Sequence, residues 1–185
     1  MNEISIRLHQ GLLICCLTLV LAGQAGAHIK NEGSQFPDIE FSEARFDIVL
    51  LVGAGVIPET PVFEPDQPLT KADLAAWAAL AKGLGEGGET PDTRKLANAA
   101  REAGLMDSLE GEASYADINN VLFEGQLAPD QPGAVPAKGE AASFIAANLT
   151  VPLENGSLLE QLGLEPGPTG AVTEVESRTD PDHGS

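Results

Sequence analysis

The fold turns on residues 46–84, FDIVLLVGAGVIPETPVFEPDQPLTKADLAAWAALAKGL. Phe46, Val49 and Leu50 recur at helical spacing and predict a first helix, with Ser42 ahead of it as a cap. Gly53 and Gly55 end that helix, since glycine accepts the left-handed conformation in which helices commonly terminate. Pro58, Pro61, Pro65 and Pro68 then hold the chain out of helix, because each lacks an N–H and restricts the residue before it. Thr70 is the next N-cap. Its hydroxyl is placed to accept from the Asp73 amide, while the Asp73 carboxylate reaches back to the amide of the cap. Behind it Leu74, Trp77, Ala81 and Leu84 form one apolar stripe. The stretch therefore reads as helix, loop, turn, helix.

Towards the C-terminus the same grammar repeats. Residues 83–93 are a Gly-rich linker, and Thr90 followed by Pro91 is an N-cap with proline at the first helical position. Leu96, Ala99, Ala100 and Ala103 make the apolar face of a third helix that ends near Gly104. Ser114-Tyr115-Ala116-Asp117 restates the capping logic of Thr70-Lys71-Ala72-Asp73 and opens a fourth helix, with Ser114 and Asp117 as its capping pair and Tyr115, Ile118, Val121 and Leu122 turned inward. Pro65-Asp66-Gln67-Pro68 returns as Pro129-Asp130-Gln131-Pro132, and Lys71-Ala72-Asp73 as Lys138-Gly139-Glu140. Trp77 and Phe144 follow their lysines at equal spacing. Three unequal repeats result, over about 42–84, 91–124 and 115–149. The third must either use the helix given to the second or lack a first helix. Ser157 and Glu160 then cap a short last helix carrying Leu158, Leu159 and Leu162.

These motifs resemble the S-layer homology module. Its repeat has a Phe-x-Asp near the start, a Gly-Ile/Val pair, a loop ending Phe-x-Pro, and Thr-Arg-Ala-Glu opening a second helix. Phe46-Asp47-Ile48, Gly55-Val56, Phe63-Glu64-Pro65 and Thr70-Lys71-Ala72-Asp73 stand in the same order, with lysine for arginine and aspartate for glutamate. The match is best over 46–84 and weaker over 91–149. The resemblance implies an all-α fold of short helix-loop-helix repeats packed as a helical bundle over 42–164. It also implies grooves at the Arg-Ala-Glu positions that bind cell-wall polysaccharide. Carried over, it makes Lys71, Asp73, Lys138 and Glu140 the glycan-binding candidates. A helix N-terminus offers N–H groups and partial positive charge to an anionic substituent, and an adjacent cation adds charge-assisted hydrogen bonds. Lys71 and Lys138 keep that charge without the guanidinium fork. Asp73 and Glu140 also serve simply as helix caps, and Tyr115 leaves the groove of the second repeat without a cation.

The N-terminus bears on location. Arg7, the apolar run 11–22 and Ala25-Gly26-Ala27 compose a secretory signal peptide over 1–27; an uncleaved anchor is the alternative. The run is short for a membrane span, and no other stretch of the chain is apolar enough for one. Residues 28–41 read as a polar leader arm. Cys15 and Cys16 both fall within the signal, so the exported chain has no disulfide. Glu3 and Arg7 leave together, and the formal charge stays at −18, which repels nucleic acid and anionic lipid. Residues 165–185 are acidic, rich in proline and glycine, and read as a disordered tail.

Enzyme chemistry finds no purchase. His28 and His183 stand far apart in sequence, no cysteine remains as a nucleophile, and no ligand set suggests a metal or cofactor. Gly83-Leu84-Gly85-Glu86-Gly87-Gly88 lacks both the preceding strand and the Lys-Ser/Thr of a phosphate loop. The expected function is that of an exported, non-enzymatic protein of the periplasm or cell surface that holds cell-wall polysaccharide or peptidoglycan. A degenerate scaffold that docks another envelope protein is the alternative. Export predicts that N-terminal sequencing of the protein from an envelope fraction starts near His28; intact Met1 in the cytoplasm would contradict it.

Overall fold

The computed structural model describes residues 36–85 and 92–164. The expected signal peptide over 1–27, the first part of the expected leader, the expected Thr90–Pro91 cap and the expected tail over 165–185 lie outside the described residues. Among those described there are six α-helices and no strand: α1 (Arg45–Gly53), α2 (Lys71–Ala81), α3 (Thr93–Glu102), α4 (Tyr115–Phe123), α5 (Lys138–Ala147) and α6 (Leu158–Gln161).

α2 is the centre of the core. Leu74 through Ala79 are buried without interruption, as is Ala81, so the helix is enclosed on all sides and does not rest on a single stripe. Leu84, expected on that stripe, lies past the helix end and is 38% exposed. α3 packs along α2, α4 touches it, and α1 pairs with α5.

α1 presents a different face from the one its sequence suggests. Ile48, Leu51 and Val52 point inward, whereas Phe46 is 71% and Leu50 50% exposed. In an almost wholly apolar helix either face satisfies the period, and the partner decides. Here α5 decides it, and the Ser143 hydroxyl donates to the Asp47 carboxylate at 2.6 Å. On α3 the cap is Asp92, and the inward residues are Leu96, Ala97 and Ala100. Ala103 is exposed. On α4 the Ser114/Asp117 capping box forms as expected, with Ile118 and Leu122 buried and Phe123 and Asn119 buried beside them.

The polar leader expected over 28–41 needs correction at its C-terminal end. Phe36 and Ile39 are buried, the first just ahead of a 3-10 turn over Pro37–Ile39 and the second its last residue. The Phe36 ring packs against Phe63 at 5.6 Å. The packed region thus includes Phe36, because a large ring with an apolar partner is worth burying.

Between α4 and α5 there is no helix. Residues 124–137 form loop instead. That loop is fixed from α4 by Asn119, whose amide donates to the Leu127 carbonyl and accepts from the Leu127 N–H, both at 2.9 Å. One side chain thereby satisfies both backbone groups of Leu127, as a neighbouring secondary-structure element otherwise would.

The segments entering α2, α4 and α5 close into a ring. Leu69 N–H donates to the Pro136 carbonyl at 2.9 Å, and its own carbonyl accepts from Ala113 N–H at 2.8 Å. Lys71 N–H reaches Gly111, Tyr115 N–H reaches Ala134, and Lys138 N–H reaches Gln67, at 2.8–3.0 Å. Each helix of the second-helix type thus starts against the loop that precedes another. Gly139 sits where this approach is tightest. A Cβ there would lie 3.3 Å from both Ala44 Cβ and the Pro65 carbonyl.

Replacing Asn119 with alanine should leave both Leu127 backbone groups without partners and cost about 2–3 kcal/mol of stability. Urea unfolding measures it, and a loss below about 0.5 kcal/mol would show that the loop is held by something else.

Candidate functional site: grooves between the repeats

The N-terminal turns of α2 and α5, distant in sequence, come together. Lys138 extends its Nζ to Glu64 Oε2 at 3.2 Å and to Asp73 Oδ2 at 3.5 Å. The lysine side chain is only 13% exposed. Of the four glycan candidates, Asp73 and Lys138 are therefore brought together, although the sequence places them in separate triplets. Asp73 Oδ2 also accepts from the Thr70 hydroxyl at 2.7 Å, and Thr70 Oγ1 caps the Asp73 amide at 3.1 Å. The expected reach of Asp73 to the cap's amide is replaced by a bond to its hydroxyl, because that carboxylate is also turned toward Lys138.

Glu64 is the member of this cluster that sequence reasoning missed. Its backbone is left-handed, at φ 62°, which disfavours a side-chain-bearing residue by roughly 1–2 kcal/mol. Asp38 holds it there. The Asp38 carboxylate accepts from the Phe63 amide at 3.0 Å and from the Glu64 amide at 2.6 Å. Partial burial by itself raises the Asp38 carboxyl. The Glu64 and Phe63 amides, its own amide and the charge of Lys138 together outweigh that and hold it below the usual carboxylate range. Phe63 stacks on Trp77, ring centroids 6.0 Å apart at 15°. Phe63, Glu64, Asp73, Trp77 and Lys138 frame a groove of about 180 Å³.

Glu140 lies elsewhere. Its Oε2 accepts from the Ala137 amide at 3.0 Å, and the side chain borders a wider cleft of about 570 Å³ shared with Tyr115, Phe144, Asp130 and Gln131. Tyr115 and Phe144 meet edge to face at 5.1 Å. Burial, then the Glu140 charge, raises the Tyr115 hydroxyl above its ordinary value. The second groove thus keeps the layout of the first, with Tyr115 where Lys138 stands, Glu140 for Asp73 and Phe144 for Trp77.

Lys71 is the first residue of α2, half-buried. Its backbone N–H is bonded to Gly111, and among the described residues no carboxylate pairs with its ammonium. Ser114 and Asp117 act together as a cap, the carboxylate accepting from Ser114 N at 2.7 Å and the hydroxyl taking the Asp117 amide at 3.2 Å.

The expectation of open helix N-termini is modified. Lys71, Tyr115, Ala116, Lys138 and Gly139 donate their N–H groups to loop carbonyls, and Thr70 and Ser114 cover the third amides of α2 and α4. The donors a ligand would need are largely engaged, so recognition falls to side chains.

Folding lowers the Asp38 carboxyl, so its contribution is complete above the unfolded carboxylate range and is lost as pH falls through the folded value. Thermal unfolding followed from about pH 6 to about pH 3 should show a falling midpoint. Asp38→Asn should melt lower at the upper end and fall less steeply. Parallel acid limbs for the two proteins would remove Asp38 from this role.

In sequence and structure comparisons the chain matched no protein family, no curated protein and no solved structure.

Proposed function

We propose that this is an exported, non-enzymatic envelope protein whose helical repeats hold cell-wall glycan, through a module like the S-layer homology domain. The observation that carries this reading is the ring of three helix starts, each seated on the loop of another repeat. It supports a three-repeat assembly even though the third repeat lacks its first helix. Phe36 and Asp38 strengthen the likeness. They supply a Phe-x-Asp in which the ring is buried and the carboxylate orders the Phe63-Glu64 loop, a role for which Phe46-Asp47-Ile48 is not placed. Lysine, carboxylate and aromatic residues converge in a groove between two repeats, a composition suited to a polar sugar chain.

A second reading, a scaffold that docks another envelope protein, draws on a separate observation. Lys138 is already neutralised by Glu64 and Asp73, while Phe41, Phe46 and Leu50 are exposed apolar side chains.

Lys71 and Lys138 separate the roles of the two cations. Lys71→Ala should reduce co-sedimentation with cell-wall sacculi by about tenfold in affinity with an unchanged melting temperature. Lys138→Ala should lower the melting temperature as well, since it leaves Glu64 and Asp73 facing each other without a cation. Unimpaired pelleting of Lys71→Ala would remove Lys71 from the glycan reading, and no pelleting of the parent protein would overturn that reading and leave the scaffold one.

A further inference from the structure

The cleft between α4 and α5 has the layout of the Lys138 groove without its cation. Its position-one residue is Tyr115, not lysine, and its charged lining consists of the carboxylates Glu140 and Asp130. At about 570 Å³ it is more than three times the volume of the other groove and within the range that accepts a small ligand. Sequence alone dismisses this groove, because a cation is what the anionic-glycan argument requires. The geometry reverses that conclusion.

We infer that the Tyr115 cleft binds a sugar carrying a free amino group, a hexosamine unit of a glycan whose amines are not acylated. Three features converge on this class. The two carboxylates, in a chain of formal charge −18, repel an anionic sugar and attract an ammonium. Tyr115 and Phe144, both half-buried and held edge to face at 5.1 Å, offer ring surface to a cation or to the apolar face of a pyranose. Gln131 and the Tyr115 hydroxyl add donors and acceptors for sugar hydroxyls. Glu140 is oriented independently of any ligand, because its Oε2 is fixed by the Ala137 amide at 3.0 Å. Its remaining acceptor capacity is available to the ligand. This inference takes its ligand class from the glycan reading but uses neither Lys71 nor Lys138.

The experiment is calorimetric titration of the exported protein, purified from an envelope fraction, at about 0.15 M salt, where long-range attraction between surface charges is largely screened. The probes are a glucosamine tetramer, its fully N-acetylated counterpart and a glucose tetramer. The glucosamine tetramer should bind at least about tenfold more tightly than either uncharged oligomer. The double variant Asp130→Asn, Glu140→Gln keeps an acceptor for the Ala137 amide while removing both charges, and should lose about tenfold for glucosamine. Asp107→Asn with Glu110→Gln, away from the cleft, is the control for bulk acidity and should bind as the parent does. Equal loss in the two double variants, equal affinity for the glucose tetramer, or no binding by glucosamine would each overturn the inference. Sacculus pelleting run in parallel separates the cases. If the parent still pellets, only the amino-sugar assignment fails; if it does not, the glycan reading fails with it.

Discussion

The structure depends on the hydrogen bonds that Leu69 makes on its two sides, its N–H to Pro136 and its carbonyl to Ala113. Leu69 is fully buried, so these backbone groups have no water to turn to and must be paired within the chain. Pairing them draws together three segments distant in sequence, each immediately ahead of a helix. With the starts of α2, α4 and α5 fixed this way, Lys138 meets Asp73 and Tyr115 shares a cleft with Glu140. The grooves are consequences of that closure. So is the engagement of the first-turn amides, which shifts ligand recognition from the helix ends to the side chains.

Electrostatics then differentiates grooves of common origin. In one, Lys138 lies between Glu64 and Asp73 and ties the start of α5 to α2 and the loop before it. A largely enclosed cation with two carboxylate partners is well compensated, and removing it would leave two like charges together. Such a lysine is as much a fastener as a ligand-binding group. In the other, tyrosine replaces the cation and the carboxylates are left to set the sign. Tyrosine in place of lysine at one topological position therefore leaves the second groove without a cation.

The core is economical. α2 is largely alanine on its enclosed surface, which lets α3 and the loops approach closely, and the few aromatics are concentrated as Phe36-Phe63-Trp77 and as Tyr115-Phe144-Phe123. Each aromatic set backs one groove. In the loop between α4 and α5, the polar Asn119 pairs both backbone groups of Leu127. The interior tolerates that amide because both of its ends are used. α6 is secured from the far side, with Lys82 Nζ donating to Gln161 Oε1 at 2.8 Å.

Local chemistry was enough to establish the helical class, the caps at Thr70, Ser114 and Ser157, the proline-bounded loop and the return of the lysine-small-acid triplet. These features arise from contacts within a few residues, where sequence and structure are nearly the same information. The tertiary structure decided what depends on partners distant along the chain. It chose Ile48, Leu51 and Val52 over Phe46 and Leu50 as the inner face of α1, since an apolar helix has no preferred side until a neighbour arrives. It brought Asp73 to Lys138 instead of Lys71, because ring closure joins the start of α2 to the start of α5. It placed Asp38 beneath the Phe63-Glu64 loop and held Glu64 at positive φ, an outcome of long-range hydrogen bonds that no local propensity encodes. It opened the wider cleft at Tyr115, the position that a rule based on charge alone discards, because the room for a ligand is set by how the helices and loops pack.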